Sequence, residues 1–344
     1  MNIKAFFSKN PNTIWKVIFS LSFILFSLGI IRFFTFSSEF QNSNSLYNKY
    51  FNENYKIFAV NIPDNLNFAG EAVPIQDFEV RERIDREFLV NTYWQSQTLL
   101  LIKRANRWLP IIEPILKRNG IPTDFKYLVA AESGFLHGVS NKGAAGYWQF
   151  IPSTAEAYGL NINEQIDERY HIEKSTEAAC KFFKEAYQSF NNWTLVAASY
   201  NIGISGLKNQ LKKQKVDNYY DLLLNEETSR YIFRVLAIKQ ILQHPKDYGF
   251  NLRKKDLYPP LPFKNIEVDS TIDDLSLFAE SNGINYKLLK YFNPWLRTEK
   301  LTVTDEKKYL IKIPHSSIKN YDEWMKIIEK EQPGNNEEIV DSIK

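Results

Sequence analysis

The sequence predicts a mainly α-helical protein followed by a small α+β module, and three observations carry that expectation. Between residues 80 and 250 apolar side chains recur at helical spacing, with strand-like alternation nearly absent. At 258–262 the run Tyr-Pro-Pro-Leu-Pro makes a stiff break. Beyond it, alternation returns at Ile266–Asp269 and Tyr309–Ile313 around two short helical stretches, a βααβ order. A chain of 344 residues holds two domains comfortably and can bury cores that need no disulfide.

The elements follow in order from the N-terminus. Lys4, Lys9 and Lys16 precede an uncharged run from Val17 to Ile31, which Arg32, Phe33 and Phe34 close. With Ile14, Trp15 and the phenylalanines the run reaches the roughly 20 residues that a bilayer core requires. Residues 14–36 therefore read as a single transmembrane anchor and 1–13 as a cytoplasmic N-terminus, with the bulk of the chain outside the cytoplasm. A cleaved signal peptide fits less well, because Arg32 stands where small residues belong. Residues 37–79, rich in Asn, Ser and Tyr and kept non-helical by Pro63 and Pro74, read as a stalk or as an extended arm packed on the domain.

A helical domain is expected over 80–250. Leu99, Ile102, Trp108, Ile111, Ile112, Ile115 and Leu116 form one apolar face that stops at Gly120-Ile121-Pro122. Phe125, Leu128 and Val129 begin the next helix, with Glu132 at its end. Helices are expected at about 174–190 and 194–199, and a third after Glu227-Thr228, where Ile232, Val235, Leu236, Ile238, Ile241 and Leu242 share a face. Residues 251–265 read as a proline-rich linker, 266–314 as the βααβ module, and 315–344 as a C-terminal helix and a disordered polar tail.

Composition removes several classes of function. The net charge of +3 is the small difference of 43 basic and 40 acidic side chains, with no basic stripe for nucleic acid. His137, His171, His244 and His315 are scattered without ligand spacing, so neither a metal nor another cofactor is expected. Cys180 sits in a helical pattern with Ala178, Ala179, Phe182 and Phe183 and reads as a small buried hydrophobe.

The chemistry concentrates at Glu132. Tyr127-Leu128-Val129-Ala130-Ala131 precede it and Phe135 follows. A carboxyl held in apolar company loses hydration of its charged form, so its pKa rises and it can act as a general acid. The bland alternative is a solvated glutamate at a helix end. Gly143-Ala144-Ala145-Gly146 allows a tight turn that brings backbone close to a ligand. Trp148 reads as core, whereas Gln149 beside it is a polar group that needs a partner. Tyr200-Asn201 before Gly203 likewise offers hydroxyl and amide groups at a helix end.

These residues resemble a known family. Glu132-Ser133, the run Gly-Ala-Ala-Gly-Tyr-Trp-Gln-Phe-Ile-Pro-Ser-Thr at 143–154, Ser199-Tyr200-Asn201-Ile202-Gly203 and Glu227-Thr228-x-x-Tyr231 are similar to the catalytic domain of lytic transglycosylases, most of all the membrane-bound murein transglycosylase D type. The resemblance implies a lysozyme-like fold and a peptidoglycan glycan strand as substrate. It places on Glu132 the protonation of the bond between N-acetylmuramic acid and N-acetylglucosamine, and then the role of base on the muramic C6 hydroxyl, giving a 1,6-anhydro product. Ser140, Gln149, Ile151, Tyr200 and Asn201 fall at the family's cleft positions, with Ser140 and Gln149 toward the acetamido or muramoyl groups. Glu227 and Tyr231 fall where the neighbouring sugar is contacted. The stretch from Glu132 to Ser140 is one residue shorter than the family's usual pattern.

A solitary carboxylate suits that chemistry, because an intramolecular hydroxyl nucleophile needs no second acid to activate water. Asn293-Pro294-Trp295-Leu296 and Tyr309-Leu310-Ile311-Lys312-Ile313-Pro314 resemble a degenerate LysM domain, its usual opening reduced to Ser270-Thr271-Ile272-Asp273-Asp274-Leu275. The resemblance implies either binding of N-acetylglucosamine-containing chains in the wall or a structural cap. Together these features imply a bacterial membrane protein whose catalytic domain faces the periplasm. Two other readings stay open: a hydrolytic muramidase using Asp167 or Glu164 as a further acid, and a catalytically inactive wall-binding scaffold.

Overall fold

The computed structural model describes residues 57–304, 307–315, 318, 320–331 and 340–343, together with 16, 19–28, 30, 32, 45, 48–49 and 52–53. The chain divides into two units, 1–59 and 60–344. In the first, residues 19–28 are helical and expose Phe19, Phe23, Leu25 and Phe26. Among the described residues no helix is long and apolar enough to cross a membrane. Much of the anchor expected at 14–36, all of 1–13 and most of 37–56 lie outside the described residues.

The second unit begins with an arm that belongs to the core. β1 (Asn67–Phe68) and β2 (Glu71–Ala72) pair antiparallel around Ala69-Gly70, both with positive φ. Leu66, Phe68, Val73 and Ile75 are buried in the main hydrophobic cluster. The Glu71 carboxylate accepts from the backbone N–H groups of Trp193 and Thr194 at 2.6 and 2.8 Å. From Val60 onward, then, the stretch read as stalk or arm is laced into the domain; strands of two residues are too short to leave a pattern in the sequence.

The helical domain comprises α1 (Phe78–Tyr93), α2 (Gln95–Arg118), α3 (Lys126–Ser133), α4 (Pro152–Ala157), α5 (Ile172–Phe190), α6 (Trp193–Ile202), α7 (Ile204–Gln214) and α8 (Glu226–Gln243). Asp77, Asn192 and Asn225 cap α1, α6 and α8 by accepting from first-turn N–H groups. α8 is the central helix: it packs against α1, α3 and α6, and buries Tyr231, Ile232, Val235, Leu236 and Ile238. α5 lies against α2 and α6 and buries Cys180, whose thiol pKa burial pushes up to about 12. Such a thiol is inert.

The module pairs β3 (Phe263–Val268) antiparallel with β4 (Tyr309–Pro314), in register from Phe263 opposite Pro314 to Val268 opposite Tyr309. α9 (Leu275–Ser281) and α10 (Tyr286–Phe292) lie between them in sequence. Buried Asn293 ties α10 to β4: its amide donates to the Lys312 carbonyl at 2.7 Å and its Oδ1 accepts from the Lys312 N–H at 2.8 Å. β3 starts three residues earlier than the alternation at 266 indicates, so the linker is shorter than 251–265. It is also strapped to α2, with Asn106 and Arg107 donating to the carbonyls of Tyr258 and Pro259.

α11 (Tyr321–Glu331) follows; of the polar tail expected beyond it, residues 340–343 are described and the rest lies outside the described residues. Val340 and Ile343 are buried, and their N–H groups donate to Leu252 and Leu242 at 2.7 and 2.9 Å.

Candidate active site

The site grows from the C-terminal end of α3. Tyr127, Leu128, Val129 and Ala130 bury the body of that helix. Its exit is sharp, because Gly134 and Phe135 both take left-handed φ values of 55° and 61°. Phe135 turns inward to a buried seat, while the last helical turn presents Glu132 to a cleft of about 590 Å3. On the facing wall, α8 contributes Glu227, Tyr231 and Arg234, which share one helix face at spacings of four and three.

The Tyr231 hydroxyl donates to Glu132 Oε1 at 2.6 Å. Burial raises the Glu132 pKa from 4.5 to about 7. The Tyr231 hydrogen bond and the Arg234 guanidinium oppose that rise, and the like charge of Glu227 reinforces it. The carboxyl is thus substantially protonated at neutral pH and still able to ionise. Desolvation, then the neighbouring Glu132, pushes the Tyr231 hydroxyl well above its usual range, so this phenol stays a hydrogen-bond donor.

A glycine loop forms the next wall. Val139 pairs with Ala145 and Ala145 with Phe150 in isolated bridges, and Gly143, Gly146 and Gln149 all have positive φ. Ser140 organises the turn: its carbonyl accepts from Gly143 and its hydroxyl from the Ala144 N–H at 3.0 Å. The Gln149 amide donates to the carbonyls of Gly138 and Gly146 at 3.0 and 2.9 Å. Both amide protons are therefore used, and Oε1 is the atom with which Gln149 can accept from a ligand. Trp148 is core, its indole N–H donating to Thr176 Oγ1 at 2.9 Å.

The α6 end closes the cleft. Tyr200 donates to the Trp148 carbonyl at 2.7 Å, with its ring edge-on to Phe150 and Phe182. Asn201 Oδ1 accepts from the Thr228 hydroxyl at 2.8 Å, which leaves its amide N–H groups as donors at the lining. Ile151 lies 41% exposed where the loop enters α4. Seven of the residues expected at the site line this one cleft (Glu132, Ser140, Gln149, Ile151, Tyr200, Asn201 and Glu227), and Tyr231 bonds to the carboxyl within it.

Arg234, Asn141 and Lys142 are among the lining residues not expected from the sequence; for Arg234 the spacing from Glu227 and Tyr231 was the available signal. Its guanidinium carbon lies 5.6 Å from the Tyr231 ring centre. Neither Asp167 nor Glu164 lines the cleft. Asp167 is held by Arg169, whose Nε and NH2 donate at 2.9 and 2.7 Å, and Glu164 is exposed on a loop. Besides Glu132, the carboxylate that does line it is Glu227.

A helical domain with one desolvated acid in an open cleft describes the site, and two family models match parts of the chain. Residues 110–223 match the family model of the transglycosylase SLT domain. Residues 264–317 match that of the soluble lytic transglycosylase C-terminal LysM-like domain. The chain carries an SLT transglycosylase domain followed by a LysM-like domain.

Among curated proteins it is 28% identical over 250 residues to membrane-bound lytic murein transglycosylase D of Escherichia coli K12, covering 71% of this chain and 54% of that protein. The same protein of E. coli O6:H1 gives the same figures. A putative tributyltin chloride resistance protein of Alteromonas sp. strain M-1 is 28% identical over 127 residues, 34% of this chain and 61% of its own. The chain thus spans about half the length of the first curated relatives it matches.

Proposed function

We propose that this protein is a peptidoglycan lytic transglycosylase that cleaves the β-1,4 bond between N-acetylmuramic acid and N-acetylglucosamine without water. The observation that carries the reading is the Glu132 carboxyl, raised to a pKa of about 7 in the cleft of an SLT domain and held by Tyr231. Protonated Glu132 gives its proton to the glycosidic oxygen as the C1–O bond breaks, worth roughly 10²–10⁴-fold. The resulting carboxylate takes the proton of the muramic C6 hydroxyl, and that oxygen closes on C1. The proton is returned, no water enters, and the product ends in a 1,6-anhydro sugar. Because the nucleophile belongs to the substrate, proximity replaces a second acid.

Around this centre Gln149 accepts from a sugar amide N–H, while Ser140, Tyr200 and Asn201 supply hydroxyl and amide contacts and Ile151 apolar surface. Glu227 contacts the adjoining sugar. Residues 14–36 tether the enzyme to the bacterial membrane with its catalytic domain in the periplasm; their basic N-terminal flank and the words "membrane-bound" in the relatives' name support this placement. The LysM-like domain contacts the same glycan.

Glu227 in the cleft lining favours one rival, a hydrolase in which that carboxylate activates water. Mass spectrometry of digested sacculi decides between them. The expected products end in anhydromuramic acid, lighter by one water than a reducing end; reducing ends as the main product would make the enzyme a hydrolase. Glu132→Gln is expected to lower cleavage by at least roughly 10²-fold. Unchanged cleavage would remove Glu132 from its role, and a wild-type protein that binds glycan without cutting it would be a scaffold.

A further inference from the structure

We propose that the LysM-like domain is a working part of the catalytic cleft: through Asp167 and Arg169 it holds the Gly143–Phe150 loop in its ligand-gripping form, which makes Arg169 a positioning residue.

Arg169 is a buried clamp. Its NH1 donates to the carbonyls of Gly143 and Phe150, at 2.7 and 3.1 Å, the two ends of the loop that carries Gln149. Its remaining donors grip the Asp167 carboxylate, so the fork is used on all sides. At the loop's middle, a Cβ on Gly146 would stand 2.0 Å from the Arg169 carbonyl oxygen, so loop and clamp touch backbone to backbone.

The clamp is in turn built onto the LysM-like domain. The Asp167 N–H donates to the Trp295 carbonyl at 2.8 Å, and Arg297 N–H to the Gln165 carbonyl at 2.7 Å. Ile166 and Leu296 bridge antiparallel between these bonds. The Gln165 amide exchanges two hydrogen bonds with Thr302, at 3.1 and 2.8 Å. Ala145 from the loop, with Ile166 and Tyr170, is buried in the module's own hydrophobic cluster. A second tie lies beside these: Lys312 Nζ donates to both Glu173 oxygens at 2.6 and 2.8 Å.

The loop requires such support. Gln149 sits at φ 52°, a left-handed conformation that costs a non-glycine residue on the order of 1–3 kcal/mol and persists only where surroundings over-determine it. Clamp and module supply that constraint, which holds Gln149 at the cleft that Glu132 also lines.

The experiment uses the full chain. Lys312→Glu sets a second carboxylate against Glu173 and opens the seam; Lys312→Glu with Glu173→Lys restores opposite charges across it. Amide hydrogen exchange at 143–150 is the first readout and is independent of activity. Exchange is expected to quicken about tenfold or more in the single variant and to recover in the double. The second readout, cleavage of a short soluble glycan fragment, rests on the transglycosylase reading above. There KM is expected to rise about tenfold with kcat far less affected, and Arg169→Lys, which cannot reach both carbonyls and Asp167 at once, is expected to give the same split.

Wild-type exchange at 143–150 in the Lys312→Glu protein would overturn the proposal. So would a defect confined to sacculi with the soluble fragment cut normally, which is the mark of a wall anchor alone. A wild-type protein that cuts neither substrate would sink the transglycosylase reading and leave the exchange experiment to decide this one.

Discussion

Glu132 owes its acidity to a contest that Tyr231 and Arg234 partly win. Burial drives the pKa up, whereas the Tyr231 hydrogen bond and the Arg234 charge favour the carboxylate and bring it back to about 7. Catalysis by the protonated form should therefore decline as pH rises through that value, so kcat/KM carries an alkaline limb near 7. Tyr231→Phe removes a group that stabilises the charged form, which moves the folded-state pKa upward. The limb is expected to shift to higher pH by about one unit, while the plateau below it falls because the carboxyl loses its orienting partner. A pH–rate series on wild type and variant measures both effects, and a limb displaced to lower pH would reverse the roles assigned here. At this scale the sequence pointed to Glu132 and Gln149, which line the cleft, and to Tyr231, which it set against a neighbouring sugar and which is instead buried with its hydroxyl on Glu132. It concealed Arg234, since an arginine on a helix reads first as solvated surface. It also concealed that the amide protons of Gln149 serve its own loop, because carbonyls brought close by left-handed turns leave no pattern in composition.

Among the elements, the 143–150 loop illustrates how a few backbone conformations set a site. Gly146 has φ 77°, and an added Cβ would collide with the Arg169 backbone. Gly146→Ala is therefore expected to be destabilising by roughly 2–4 kcal/mol, through strain and through displacement of the clamp. Urea unfolding at constant m-value would show it, and a change below about 0.5 kcal/mol would mean that the loop relaxes freely. The long helices α2, α5 and α8 were readable because each shows an apolar face to the core over several turns. Of their starts at Gln95, Ile172 and Glu226, the last is set by the Asn225 cap, whereas the first two have no side-chain cap. The helix end before Gly203, which turns the chain at φ 83°, was readable, whereas α7 beyond it was not singled out. β1 and β2 were not readable at all, being held by Asp124 and by burial of Phe68 against distant helices.

For the whole molecule, the division into helical domain and βααβ module was evident from the change in periodicity at the proline run. What the sequence could not show is that the two share a core, because Ala145, Ile166 and Tyr170 sit far from the module in the chain. A module of this size is near the limit at which one hydrophobic core supports itself. Here part of that core is supplied from outside, by side chains of a segment whose Gln165 and Asp167 backbones are bonded to Arg297 and Trp295. Neither part can lose its packing without exposing apolar surface on the other, so unit 60–344 is expected to unfold in one cooperative transition. Ile166, 2% exposed at the seam, tests this coupling. Ile166→Ala removes buried methylene groups at a cost of about 2–5 kcal/mol. If the two parts are one folding unit, calorimetry on that variant should show the single transition moved down by roughly 4–10 °C with its shape preserved. A module that folds independently would instead melt in a separate step at lower temperature, with the helical transition left where it was.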